Sequence, residues 1–118
     1  MTKPQRWWAA FTAYAAVVLV ISVIPLPQAG PPLPSFDKIL HILAYLIFSW
    51  ILMRAHLASG RQQPDAMIAA ILGAAGYGAF CELLQWVLPY RQVEGWDLLA
   101  NIVGGVLGTQ VFSPRRKF

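Results

Sequence analysis

Charge is scarce in this sequence. Asp, Glu, Lys and Arg make up 12% of its 118 residues against 58% hydrophobic, and the mean hydropathy is +0.55. A soluble domain of this size carries about 25% charge, so the composition points away from a water-soluble globule. Cysteine is nearly absent, and the single Cys81 excludes an intramolecular disulfide. Lying within an apolar segment, it reads as a small packing residue. The chain also lacks an internal repeat, and its length leaves room for one compact domain. A net charge of +4 could suggest a nucleic-acid partner. The basic residues form no stripe, however, and sit at the ends of apolar segments, where they set membrane topology instead.

What is present in quantity is long apolar runs. A membrane-spanning helix needs about 20 mostly apolar residues, and four stretches qualify, at about 7–24, 36–54, 66–88 and 96–112. Pro25 and Pro27 end the first. Ser35 suits an N-cap for the second, with Asp37 in its first turn. Pro89 stops the third, and Ser113 and Pro114 follow the fourth. The expected architecture is all-α, a polytopic four-helix membrane bundle forming one domain over 1–118. Lys3 and Arg6 resemble the start of a signal peptide, but the following apolar stretch is too long and no A-x-A cleavage site follows. Retention is expected, with Trp7 and Trp8 as interfacial anchors.

Basic residues give the orientation. Lys3, Arg6, Arg54, Arg61, Arg115, Arg116 and Lys117 fall on one side of such a bundle, and Lys38 and Arg91 on the other. Both termini are then cytoplasmic, and the 25–36 and 89–95 loops face outward. The basic tail would be drawn to anionic headgroups, and the proline-rich PLPQAGPPLP loop should be stiff and extended.

The few polar residues are not scattered. Asp37, His41, Tyr45 and Ser49 recur every four residues and share a helix face. Glu82 and Gln85 lie near the end of the third segment, Arg91 follows it, and Asp97 and Asn101 open the fourth. At a 1.5 Å rise, Glu82 lies roughly 9 Å below Leu88 and Tyr45 roughly 12 Å below Asp37. All belong to the outward halves of their helices, which implies a polar pocket open to the outside. Two stripes of small residues, Ala70–Ala74–Gly78 leading to Glu82 and Ala100–Gly104–Gly108, mark faces where membrane helices approach closely. They should turn the acids inward, with His41 and Asp97 as partners of Glu82.

Each candidate has a plainer reading. A membrane-embedded carboxylate such as Glu82 is costly and usually functional, though it could be an ion pair with Arg91 or a hydrogen bond to His41. His41 can act as base, ligand or proton relay, or simply pack. Asp37 and Asp97 also suit helix N-termini on dipole grounds alone. Arg91 can grip carboxylate or phosphate through two hydrogen bonds, or anchor at lipid headgroups. Tyr45, Gln85 and Asn101 read as interhelical hydrogen-bonding groups. His56 lies at the opposite interface with no specific role expected, and Trp86 and Trp96 would frame the pocket mouth.

Taken in order, D-K-x-x-H-x-x-x-Y (Asp37, Lys38, His41, Tyr45), E-x-x-Q-x-x-x-P-x-R (Glu82, Gln85, Pro89, Arg91) and D-x-x-x-N-x-x-G-x-x-x-G (Asp97, Asn101, Gly104, Gly108) resemble the VanZ-like family of small bacterial membrane proteins. The resemblance covers 37–108 by motif and the first helix by hydrophobicity. It departs at Tyr90, where a glycine often precedes the family's arginine, which bears on the shape of that loop. It implies a bacterial plasma-membrane location and a link to low-level resistance to the glycopeptide teicoplanin.

Three classes of function remain. In the first, the pocket binds or modifies a cell-envelope amphiphile, a lipid headgroup or lipid-linked cell-wall precursor. Lys38 and Arg91 would take phosphate, and Tyr45, Gln85 and Asn101 would complete the binding wall. In the second, Asp37, His41, Glu82 and Asp97 act as catalytic groups of an intramembrane hydrolase or transferase on a phosphorylated lipid. These side chains could also hold a divalent metal, but no H-E-x-x-H or similar signature assigns one. No cofactor is specified. Transport ranks last, since four helices without an inverted repeat do not make an alternating-access carrier unless the chain forms a homo-oligomer through its glycine faces. The bland alternative is a polar network that only holds the bundle together.

Overall fold

The computed structural model describes residues 1–24, 34–88 and 95–111, with side chains described from Lys38 onward in the second helix and through Gln110 in the fourth. The described chain is all helical: α1 (Lys3–Val23), α2 (Pro34–Ala58), α3 (Gln63–Trp86) and α4 (Gly95–Val111). Three helical stretches, Lys3–Val23, Lys38–Ala58 and Gln63–Trp86, are long and apolar enough to cross a membrane. α4 is shorter, at 17 residues.

Local chemistry moves the helix ends away from the hydropathy boundaries. α1 begins at Lys3 rather than Trp7 because Thr2 and Gln5 form a reciprocal capping box with Pro4 in the first turn. α2 runs past Arg54 to Ala58 and closes on Gly60 at φ +94°. There Arg61 N–H donates to the His56 carbonyl and Gly60 N–H to the Leu57 carbonyl, both at 3.1 Å. This six-to-one and five-to-two pair defines a Schellman stop, which favours glycine at the left-handed position. α3 starts at Gln63 rather than Ala66, with Pro64 and Asp65 in its first turn.

α2 is the hub. It packs on α1, α3 and α4, most extensively on α4, whereas α1 and α4 do not meet among the described residues. α2 and α4 run parallel, since Lys38 meets Asp97 near both N-terminal ends and Ser49 meets Gly108 further along. Glycine lets them close. A Cβ on Gly104 would fall 2.3 Å from the Ile42 carbonyl oxygen, and one on Gly108 would fall 2.2 Å from that of Leu46. Both glycines therefore lie directly against the α2 backbone. On the α3 side, a Cβ on Gly78 would meet Asn101, and one on Gly105 would meet Ala74. Gly78, Gly104, Gly105 and Gly108 thus each face a neighbouring helix of the same chain.

The core is small and one-sided. Tyr45, Phe48, Leu52 and Met53 of α2 pack on Ala66, Ala70 and Ala74 of α3, with Phe11 and Tyr14 of α1 covering them. No residue of α1 is buried. Many large apolar side chains face outward, among them Leu72 and Leu83, as expected where lipid is the surrounding medium.

Candidate functional site

The site lies at the end of the bundle where α1 and α3 finish and α2 and α4 begin. There Lys38 Nζ is 2.5 Å from Asp97 Oδ1, an ion pair between the first turns of the parallel helices. The aspartate side chain is 7% exposed and that of the lysine 24%. Asp97 serves the α4 dipole and a half-buried cation together. One turn deeper, His41 Nδ1 is 3.0 Å from Asn101 Oδ1. With that oxygen accepting, the proton lies on Nδ1. The opposite ring nitrogen is 3.8 Å from Asp97 Oδ2, a separation that serves an ion pair when the ring is protonated. Lys38, Asp97, His41 and Asn101 therefore form one continuous polar chain. Gly78 makes room for it, since any side chain there would strike the fully buried Asn101 amide.

His41 also faces a cavity of about 330 Å³ bounded by α1, α2 and α3, with Tyr14, Ser22, Leu40, Tyr45 and Gln85 among its walls. Gln85 Nε2 donates to the Ser22 carbonyl at 3.1 Å, tying the end of α3 to the end of α1. Cys81, 4% exposed, has its thiol in hydrogen-bonding contact with Ser22 and Tyr45. Sequence alone missed the part played by Ser22. The available signal was a hydroxyl in the last turn of an otherwise apolar helix.

The stripe on α3 takes a different course from the one drawn on the sequence. Its buried residues are Ala66, Ala70, Ala74, Gly78, Cys81 and Gln85. At 3.6 residues per turn, a line stepping by four drifts round the helix, and a step of three after Gly78 restores it to Cys81. Glu82 lies one residue beside this line and is half-buried. Asp97 is engaged by Lys38 and His41. Lys38, expected to take phosphate, has its charge balanced by Asp97. Ser49 turns toward α4, buried against Gly108, with its hydroxyl on the Leu46 carbonyl. Trp86 and Trp96 are 76% and 69% exposed at this end of the bundle. Asp37 is in the first turn of α2 with its side chain outside the described residues, and Arg91, Pro89 and the basic tail lie outside them altogether.

In chemical terms the site offers a near-neutral ion pair, an imidazole oriented by an amide, and a cavity with hydroxyl and amide groups in its wall. Among the described residues, no three His, Cys, Asp or Glu side chains converge as a metal site would require.

A family model described as VanZ/LLP1 matches residues 3–115. No curated protein and no solved structure matches the chain. The family match spans all four helices and every polar residue of the site, and on it the chain belongs to the VanZ/LLP1 family.

Proposed function

We propose that this VanZ-family membrane protein crosses a bacterial plasma membrane four times with both termini in the cytoplasm, and that its polar end binds the headgroup of a cell-envelope amphiphile from the outer side. The orientation rests on the basic residues, most of which flank the ends away from the site. The observation that carries the binding reading is the position of His41. It is held by Asn101 within the Lys38–Asp97 chain and also forms part of a cavity of about 330 Å³. A network serving only to join helices has no need of an open cavity beside its histidine. The cavity is walled largely by aliphatic groups of α1 and α2, with polar groups at Ser22, Tyr45 and Gln85, which suits a lipid whose head is polar and whose tail leaves between helices. Arg91, which the sequence places between α3 and α4, is included in the same reading as a phosphate contact.

The test is thermal stabilisation of the purified chain by polyprenyl phosphate. Stabilisation of the unaltered protein that is lost in His41→Ala and Arg91→Ala, with both variants folded, supports the reading. An unaltered chain indifferent to polyprenyl phosphate and to lipid-linked disaccharide removes it, leaving the network as architecture. A second reading, an intramembrane hydrolase or transferase, draws on His41 alone, because an imidazole oriented on one nitrogen can use the other as a base. Release of phosphate from the same probe, abolished in His41→Gln, would favour it. A role in teicoplanin resistance follows if the bound lipid is a cell-wall precursor. Expression in a susceptible host should then raise the inhibitory concentration of teicoplanin, and Asp97→Asn should abolish the rise.

A further inference from the structure

A second cavity, of about 580 Å³, lies between α1 and α3 and extends to the other end of the bundle. These two helices make the sparsest of the helix contacts. The space between them is walled by Trp8, Phe11, Phe48, Leu72, Tyr77 and Phe80. Gly73 and Gly76 line it on α3. A Cβ on Gly73 would meet the Leu52 side chain at 2.5 Å, whereas one on Gly76 would meet nothing within 4 Å. The cleft is open at Gly76, and Leu72 on its rim is 66% exposed.

One end of this cleft is basic. His56 belongs to its wall, and the buried His56 Nδ1 has no hydrogen-bond partner. Arg61 N–H is bonded to the His56 carbonyl at 3.1 Å, which starts the arginine side chain within a turn of that ring. Trp8 Nε1 donates to Ser59 Oγ at 2.8 Å, bringing the start of α1, with Lys3 and Arg6, to the same end. Asp65, in the first turn of α3, is the one acid among the described residues there. From Ala69 to Phe80 the cleft follows α3 for a rise of roughly 16 Å. That is about half the ~30 Å thickness of a bilayer's hydrocarbon core, the depth of a single leaflet.

We propose that this cleft holds one acyl chain of an anionic glycerophospholipid from the leaflet on the α2–α3 loop side, with the phosphate against His56, Arg61 and the Trp8–Ser59 contact. In a bilayer an apolar cleft between helices meets acyl chains rather than water. Basic groups beside a membrane helix end select anionic headgroups. This lipid site lies at the opposite end from the polar site and does not depend on what that site binds.

The experiment is native mass spectrometry of the full chain in detergent, titrated with phosphatidylglycerol and phosphatidylcholine of identical acyl chains. The unaltered protein should retain one phosphatidylglycerol at least tenfold more tightly than phosphatidylcholine. Gly76→Leu, which fills the open part of the cleft, should reduce retention of both lipids tenfold or more. Arg61→Gln, which removes the fixed charge beside His56, should bring the two lipids within about twofold of each other while acyl binding persists. Equal binding of both lipids to the unaltered chain, or unchanged phosphatidylglycerol retention in folded Gly76→Leu, overturns the proposal. So does a dimer that Gly76→Leu converts to monomer, since the cleft would then belong to a second copy of the chain. If Gly76→Leu fails to fold, phosphatidylglycerol with brominated acyl chains gives the same decision on unaltered sequence. It should quench a fraction of the fluorescence that disappears in Trp8→Phe, and failure to quench that fraction counts against the site.

Discussion

α4 and α1 both pack on α2, yet they are held in different ways. α4 rests its glycines directly on the α2 backbone, at Ile42 and Leu46, and buries Asp97, Ala100, Asn101 and Thr109. α1 buries no residue. It is fastened by single polar contacts that reach across from one helix to the next. Tyr14 hydroxyl donates to the Ala44 carbonyl at 2.6 Å, Tyr77 hydroxyl donates to the Ala15 carbonyl at 2.5 Å, and Gln85 reaches the Ser22 carbonyl. Edge-on aromatic contacts, Trp7 with Trp50 and Phe11 with Phe48, complete the attachment. One seam is a fit of backbone to backbone, and the other is a set of props with both cavities between them. The polar chain therefore rests on the closer seam, and the cavity beside His41 is bounded by the more loosely held helix. In membranes, where lipid competes evenly for apolar surface, close approach and hydrogen bonds carry helix association.

The sharpest way to break this contrast is to place a side chain between α2 and α4. Gly104→Leu would drive carbon into the Ile42 carbonyl, which cannot give way as a side chain tip does. It should cost more than about 4 kcal/mol and leave no folded, monodisperse protein in detergent. Gly76→Leu, at the open face of α3, should behave as the unaltered chain does in the same circular-dichroism melt.

Next in size is the ion pair. Asp97→Ala leaves the Lys38 ammonium in a half-buried position beside an apolar side chain, and removing one partner of a buried pair costs about 3 kcal/mol. The melting temperature should fall accordingly. Lys38→Met combined with Asp97→Leu should recover most of the loss, because the charge is gone as well. A failure to recover would mean that the pair serves more than mutual neutralisation.

Smaller again is the coupling of His41 to Asn101. A double-mutant cycle with His41→Ala and Asn101→Ala should give about 1 kcal/mol. The props of α1 come last. Tyr14→Phe and Tyr77→Phe should each cost about 0.6 kcal/mol, near the average for hydrogen bonds between membrane helices. Their clearer readout is faster hydrogen exchange in α1 with α4 unchanged. Equal acceleration in both helices would show that the two seams are not independent.

Much of this was legible from residue spacing. The four helices follow from apolar length, and the four-residue recurrence of Ala100, Gly104 and Gly108 identified the face that meets α2. The pairing of Asp97 with Asn101 on one face was legible in the same way. What the spacing could not give is rotation. A stripe stepping by four on α3 led to Glu82, while the helix itself carries Cys81 and Gln85 into the buried line. Nor could it choose partners. Lys38 and Asp97 are separated by 59 residues, and nothing local to either announces that parallel helices will bring them together. Helix ends were misjudged where a cap outweighed hydropathy, as Thr2 and Gln5 do for α1 and Gly60 does for α2.

The separation of Lys38 from Asp97 also orders the protein's biogenesis. The lysine is synthesised and delivered to the membrane well before the acid that neutralises it in the finished fold. Between those moments the nascent α2–α3 hairpin carries an ammonium group that favours the headgroup layer. Once α4 is made, Asp97 can pair with it, so a helix made later in the chain fixes the place of a side chain on an earlier one.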